Sequence, residues 1–127
     1  MELSLLETVD NHETGAECQI LSPVDGKLTD VFIKLKGIDS KEWRSQKKKQ
    51  TSKLLAARAS GKLDELDFDS LDIEALVECT IGWRGISEKG KEYKYSKGNA
   101  RKLYESSPFI VQQLLVFVGK RQNFTQD

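Results

Sequence analysis

Cys18-Gln19-Ile20-Leu21-Ser22-Pro23-Val24-Asp25-Gly26-Lys27-Leu28-Thr29-Asp30-Val31-Phe32-Ile33-Lys34-Leu35 is the stretch on which the fold turns. Cys18 and Ile20, then Val31, Ile33 and Leu35, alternate with polar or outward-facing residues, the period of two of half-buried strands. Between the two runs Pro23 fixes the entry of a turn, and Asp25-Gly26 supplies the positive φ angles that tight hairpin turns require. The spacing predicts a β-hairpin across 17–22 and 29–36.

Downstream of the hairpin the pattern becomes helical. Gly37 ends the second strand, and Asp39-Ser40 offers an N-cap with Glu42 and Trp43 in the first turn, where an acid suits the helix dipole. From Lys41 to Ala59 there is no proline or glycine, and Ala56, Ala57 and Ala59 favour helix. Its apolar positions, Trp43, Leu54, Leu55 and Ala57, are sparse, so it packs along a narrow stripe. Gly61 stops it and an acidic connector follows. Asp69 or Ser70 caps a second helix, in which Leu71, Ile73, Leu76, Val77 and Ile81 recur at helical spacing until Gly82 and Gly85 break it.

Residues 87–95 are charged and turn-like, with Tyr93 and Tyr95 in a short extended piece. Ser96 caps a short helix carrying Ala100, Leu103 and Tyr104. Ser107-Pro108 opens the last one, with Pro at the first position, where its missing N–H costs nothing. Phe109 to Val118 is the most apolar segment, interrupted by Gln112 and Gln113, and belongs in a core or an assembly. The expected fold is α+β: an amino-terminal β-hairpin followed by a small bundle of about four helices. One domain spans 15–121, between a loose polar arm at 1–14 and a flexible tail at 122–127.

Composition narrows the function. The chain has 127 residues, 38% hydrophobic and 31% charged, with 20 basic and 20 acidic side chains. Zero formal charge gives no whole-molecule attraction to nucleic acid or to an acidic membrane. Cys18 and Cys79 are far apart in no metal-like spacing, which favours a reducing compartment. The first ten residues hold three acids and no base, unlike a signal peptide, and no run is apolar enough to cross a bilayer. A cytosolic protein is expected.

Catalytic patterns are scarce. His12, the one histidine, lies in the polar arm with nothing in the local sequence to hold it. Cys79 sits among apolar residues without a base nearby, so it reads as a core thiol. Gly82 and Gly85 are not followed by a phosphate-loop Lys, and the acids of 64–78 lack calcium-loop spacing. No catalytic, cofactor or metal residue is expected; the chain reads as a binding protein rather than an enzyme.

Charge is distributed unevenly. Residues 41–62 hold eight bases (Lys41, Arg44, Lys47, Lys48, Lys49, Lys53, Arg58, Lys62) and one acid, whereas 64–78 hold seven acids and no base. Either the two blocks neutralise each other within the fold, or they steer partners and favour a head-to-tail homo-oligomer. Trp83, between glycines, reads as core, and Trp43 as an anchor to the hairpin or a partner contact. The candidate partner-binding residues are Trp43, Arg44, Lys47 and Lys48 on the basic helix, and Phe109, Val111, Leu114, Leu115 and Val118 on the last helix.

Several motifs in order carry a family resemblance: Ser22-Pro23-Val24-Asp25-Gly26-Lys27-Leu28-Thr29, Val31-Phe32-Ile33-Lys34-Leu35-Lys36-Gly37 and Asp39-Ser40-Lys41-Glu42-Trp43-Arg44. Gly82-Trp83-Arg84-Gly85-Ile86, Asn99-Ala100-Arg101-Lys102-Leu103-Tyr104, Pro108-Phe109-Ile110, Gln112-Gln113 and Asn123-Phe124 follow. Over residues 15–124 the chain resembles the tail assembly chaperones of long-tailed bacteriophages. The resemblance implies a non-enzymatic protein of the host cytoplasm that coats the helical tape measure protein, keeps it soluble, helps recruit tail tube subunits, and is absent from the mature virion. It also implies a longer form made by ribosomal frameshifting, for which Gly119-Lys120 marks a place where the codons can be checked. Two other readings stay open: a small nucleic-acid-binding regulator using helix 41–60, and a minor structural tail protein.

Overall fold

The protein's structure is a computed structural model that describes residues 1–125. Two short helices, α1 (Leu3–Leu6) and α2 (Val9–Thr14), precede the hairpin β1 (Ala16–Leu21) and β2 (Leu28–Leu35). Then come α3 (Lys41–Ala59), a 3-10 turn at Leu63–Glu65, α4 (Phe68–Cys79) and β3 (Thr80–Arg84). A small ribbon of β4 (Ser87–Glu88) and β5 (Lys91–Glu92) leads to α5 (Lys97–Ser106), α6 (Pro108–Val118) and a last 3-10 turn at Arg121–Phe124. The architecture is α+β, with four longer helices and an antiparallel sheet of order β1-β2-β3.

The hairpin forms one residue earlier than its spacing suggests, with Cys18 opposite Ile33 and Gln19 opposite Phe32. Cys18, Ile20, Ile33 and Leu35 point inward and are buried. The connection is not a two-residue turn. Ser22 N–H donates to the Lys27 carbonyl and Gly26 N–H to the Ser22 carbonyl, closing a longer loop in which Gly26 alone takes a positive φ, +72°. Asp25 instead accepts from the Lys27 N–H through its side chain.

The third strand departs from the helical reading of residues 71–81. α4 stops at Cys79, and Thr80–Arg84 pairs with the free edge of β2, placing Ile33 opposite Trp83 and Leu35 opposite Thr80. Ile81 therefore lies on a strand and is exposed. An unpaired central strand would leave a row of buried backbone groups without partners, which outweighs the helical spacing of one more isoleucine. Thr80 closes α4 by donating its hydroxyl to the Leu76 carbonyl. Gly85, at φ +90°, packs against the Asp30 backbone so tightly that a Cβ would collide with the Asp30 carbonyl.

Most helix starts follow the expected capping chemistry. Ser40 accepts from Trp43 N–H and Ser96 from Asn99 N–H. α4 is capped by Asp67, which accepts from Ser70 N–H, rather than by Asp69 or Ser70. Pro108 occupies the first turn of α6, but the Ser107 side chain makes no capping bond. Its backbone carbonyl accepts from Ile110 and Val111 instead.

Thr8 and His12 of the amino-terminal arm and Arg121–Phe124 near the other end are tied together at one place, which the polarity of these segments does not suggest, while Met1–Leu6 stay exposed. His12 on α2 is fully buried, its Nδ1 accepting from Asp39 N–H at 3.0 Å while its carbonyl accepts from Gly37 N–H. Its ring stacks on Phe124 at 4.6 Å, and Phe124 is buried in turn. Gly37 permits this approach, since a methyl group there would run into the imidazole. Arg121 grips Asp39 through two nitrogens at 2.8 and 3.0 Å, and Thr8 donates to the same carboxylate. Asn123 N–H and side chain also bond back to Lys120 and Phe117. Residues 126 and 127 of the expected tail lie outside the described residues.

The core gathers Ile33, Leu35, Leu76, Val77, Ala100, Leu114 and Val118 between sheet and helices. Tyr104 enters it with its hydroxyl 2.7 Å from that of Thr80, so its one polar atom is satisfied. Because Leu114 is fully buried, Leu114→Ala is expected to cost about 2–5 kcal/mol, measured by urea denaturation, and Leu114→Asp to prevent folding.

The clasp predicts an acid-sensitive fold. Burial pushes His12 below its ordinary pKa, so the unfolded chain binds that proton more readily; its stabilisation is present above pH ~6.5 and lost as pH falls below it. The Arg121 guanidinium holds Asp39 down at about 2, so its contribution is present above ~4 and lost as pH falls through 2. Urea midpoints should therefore decline from pH 7 to 5. His12→Gln, which keeps an acceptor for Asp39 N–H, should flatten that step and leave the decline below pH 4.

Candidate partner-binding site

The last helix sorts its side chains by face. Ile110, Leu114 and Val118, at i, i+4 and i+8, are buried against the core. Phe109, Gln112, Gln113, Val116, Phe117 and Lys120 form a second stripe at i, i+3, i+4, i+7, i+8 and i+11. That stripe makes one wall of an open groove of about 720 Å³, and the hairpin end makes the other with Leu21, Ser22, Pro23 and Gly26. Cys18 and Gln19 complete the lining on the sheet side. Val116 on the helix is 59% exposed, and beside the groove the hairpin loop and the start of β2 leave Val24 91% and Leu28 66% exposed.

One side chain joins the two walls. Gln113 accepts from Leu21 N–H at 2.8 Å and donates to the Leu21 carbonyl at 3.2 Å, imitating one rung of a strand ladder. It sits beside the bulge between Gln19 and Leu21, where β1 leaves its regular pairing with β2. The polar interruption of the most apolar helix is therefore a bracket that seats the hairpin end on α6.

The expected contact residues are split among separate places. Phe109 lines the groove. Val111 and Leu115 line a smaller hollow of about 260 Å³ with Ile73, Tyr104 and Pro108. Leu114 and Val118 are wholly in the core and unavailable to a partner. Trp43 is also buried, with the Lys47 ammonium 4.8 Å above its ring, so it anchors α3. Arg44 and Lys48 stand exposed with Lys41 and Ser45 on the outer face of α3. Leu21, Pro23, Val116 and Phe117 were not among the expected residues; Val116 and Phe117 share a helix face with Phe109, whereas no local pattern marks Leu21 and Pro23.

Neutralisation between the charge blocks is confined to one pair, Lys47–Asp72 at 3.9 Å. The other paired acids of α4 turn to α5, with Glu74 on Arg101 at 2.8 Å and Glu78 on Lys97 at 2.9 Å. Among the described residues Lys41, Arg44, Lys48, Lys49, Lys53 and Arg58 join no ion pair. α3 thus presents a cationic face beyond its core stripe.

Burial pushes the Cys18 thiol up to about 11 and Cys79 to about 12, so neither is a thiolate at neutral pH. Among the described residues no group of three or more His, Cys, Asp or Glu side chains is placed to hold a metal ion. Nor is any helix there long and apolar enough to cross a membrane. No family model matches the chain, and neither a curated protein nor a solved structure matches it.

Gln113→Ala tests the bracket. It should speed hydrogen exchange at the Leu21 amide and cost about 1–2 kcal/mol in urea denaturation, the ordinary cost of losing a hydrogen-bonded partner.

Proposed function

We propose that this chain is a non-enzymatic chaperone that holds amphipathic helices, of the type that serves tail assembly in long-tailed bacteriophages. Its client is the tape measure protein, which it keeps soluble in the host cytoplasm while tail tube subunits are recruited through a longer frameshifted form; it then leaves the particle. The observation that carries this reading is the open apolar groove between α6 and the hairpin end, edged by the exposed side chain of Val116. A helical client presents apolar side chains in a stripe, and such a groove takes them as helix-in-groove recognition does. Weak docking repeated along a long client gains from multivalency.

The motifs behind the resemblance support the reading mainly through the fold they build. Trp83 donates to the Tyr93 carbonyl, stacks on the Tyr93 ring and meets Tyr95 edge to face, Gly85 allows β3 to approach Asp30, and Ala100, Tyr104 and Phe124 are core. Gln112-Gln113 and Pro108-Phe109 fall on the groove wall or next to it.

One observation favours a second reading: the cationic outer face of α3 suits a nucleic-acid regulator. Salt separates the two. A regulator contacting about six phosphates loses roughly a thousandfold in affinity between 50 and 200 mM salt, whereas an apolar groove loses little.

Binding of tape measure fragments, followed by calorimetry, should survive that salt change. Val116→Asp should weaken it at least about tenfold, equivalent to ~1.4 kcal/mol, with the circular dichroism spectrum unchanged. Salt-abolished binding, or indifference to Val116→Asp, contradicts the proposal. Mass spectrometry of purified particles should find no copies of the chain; finding them would favour a structural tail protein.

A further inference from the structure

The amino-terminal segment carries apolar surface that nothing in the fold covers. Leu3, Leu5 and Leu6 on α1 are 67%, 65% and 60% exposed, with Met1 ahead of them. The base of this segment is nevertheless fixed, because Thr8 is held by Asp39 and His12 is buried against Phe124. A short leucine-bearing segment therefore projects from a rigid anchor. The same chain has an open apolar groove that this segment does not fill.

We propose that the leucine segment of one copy docks in the α6–hairpin groove of a second copy, so that the chain associates head to tail. Charge selects this occupant. The first ten residues carry Glu2, Glu7 and Asp10 and no basic side chain. Lys120 lines the groove and no acidic residue does, while Asp25 and Lys27, which flank Gly26, offset one another. Lys120 has no ion-pair partner among the described residues. Twenty bases balance twenty acids over the whole chain, so copies do not repel one another at a distance.

The contact is heterologous: each copy that gives its segment still has an open groove, so association continues past two copies. The inference shares the groove with the proposed chaperone reading but does not rest on the identity of the client. Where both hold, a client helix and a neighbour's segment compete for one surface.

Sedimentation velocity over a range of micromolar concentrations tests it. The wild-type mean mass should rise with concentration beyond that of two copies. Leu5→Asp combined with Leu6→Asp spoils the segment, and Val116→Asp spoils the groove. All three positions are exposed, so each variant should keep the wild-type circular dichroism spectrum while remaining monomeric. An equimolar mixture of the two variants should form a dimer and stop there, because only one intact segment and one intact groove then meet. A monomeric wild type, a variant that still assembles, or a mixture that stays monomeric overturns the proposal. A monomeric wild type whose groove resonances shift in the leucine variant would show the segment folded onto its own groove. Client binding measured on the leucine variant, whose groove is intact, tests the chaperone reading separately.

Discussion

β2 is the only strand of the three-stranded sheet with a neighbour on both sides, and satisfying its two edges organises the molecule. One edge is met locally by β1 through the loop at Ser22–Lys27, the other by β3 after two intervening helices. Where the strand ends, its backbone stays engaged: Lys36 N–H goes to the Cys79 carbonyl and Gly37 N–H to the His12 carbonyl. Ser40 then caps α3 a few residues on. Ile33 and Leu35 fill the core from this strand, so hydrogen bonding and apolar burial converge on the same residues.

That convergence explains which parts of the fold could be read in the sequence. The hairpin and α3 are local objects, set by alternation and by a capped run without glycine or proline, and they lie within a residue of where the pattern puts them. β3 is not local. Ile81 continues a helical spacing, and only the open edge of β2, far away in sequence, makes Thr80–Arg84 a strand. His12 was hidden for the same reason: its seat requires the missing Cβ of Gly37 and the ring of Phe124. The polarity of its own segment says nothing about either.

The groove was legible to the extent that α6 is too apolar for an ordinary surface helix. Which of its faces is free was not legible, because the opposing wall comes from residues 21–26, with Leu21 lying 92 positions before Gln113. Gln113 joins the two walls, yet in sequence it looks like a polar break. The basic block is similar. Its residues suggest neutralisation by the acids that follow, but Glu74 and Glu78 are drawn to Arg101 and Lys97 on the helix α4 packs against, leaving much of the positive charge of α3 facing water.

The two free cysteines sit at different depths. Cys18 lies in the groove lining, whereas Cys79 is sealed at the junction of α4 and β3. Alkylating reagents attack thiolates, and both thiols are protonated as well as shielded, so modification waits for an opening of the fold. An opening confined to the groove exposes Cys18 alone, while loss of the α4–β3 junction exposes Cys79. The native chain thus carries two built-in reporters, one local and one global, whose labelling rates separate breathing at the groove from unfolding of the whole domain.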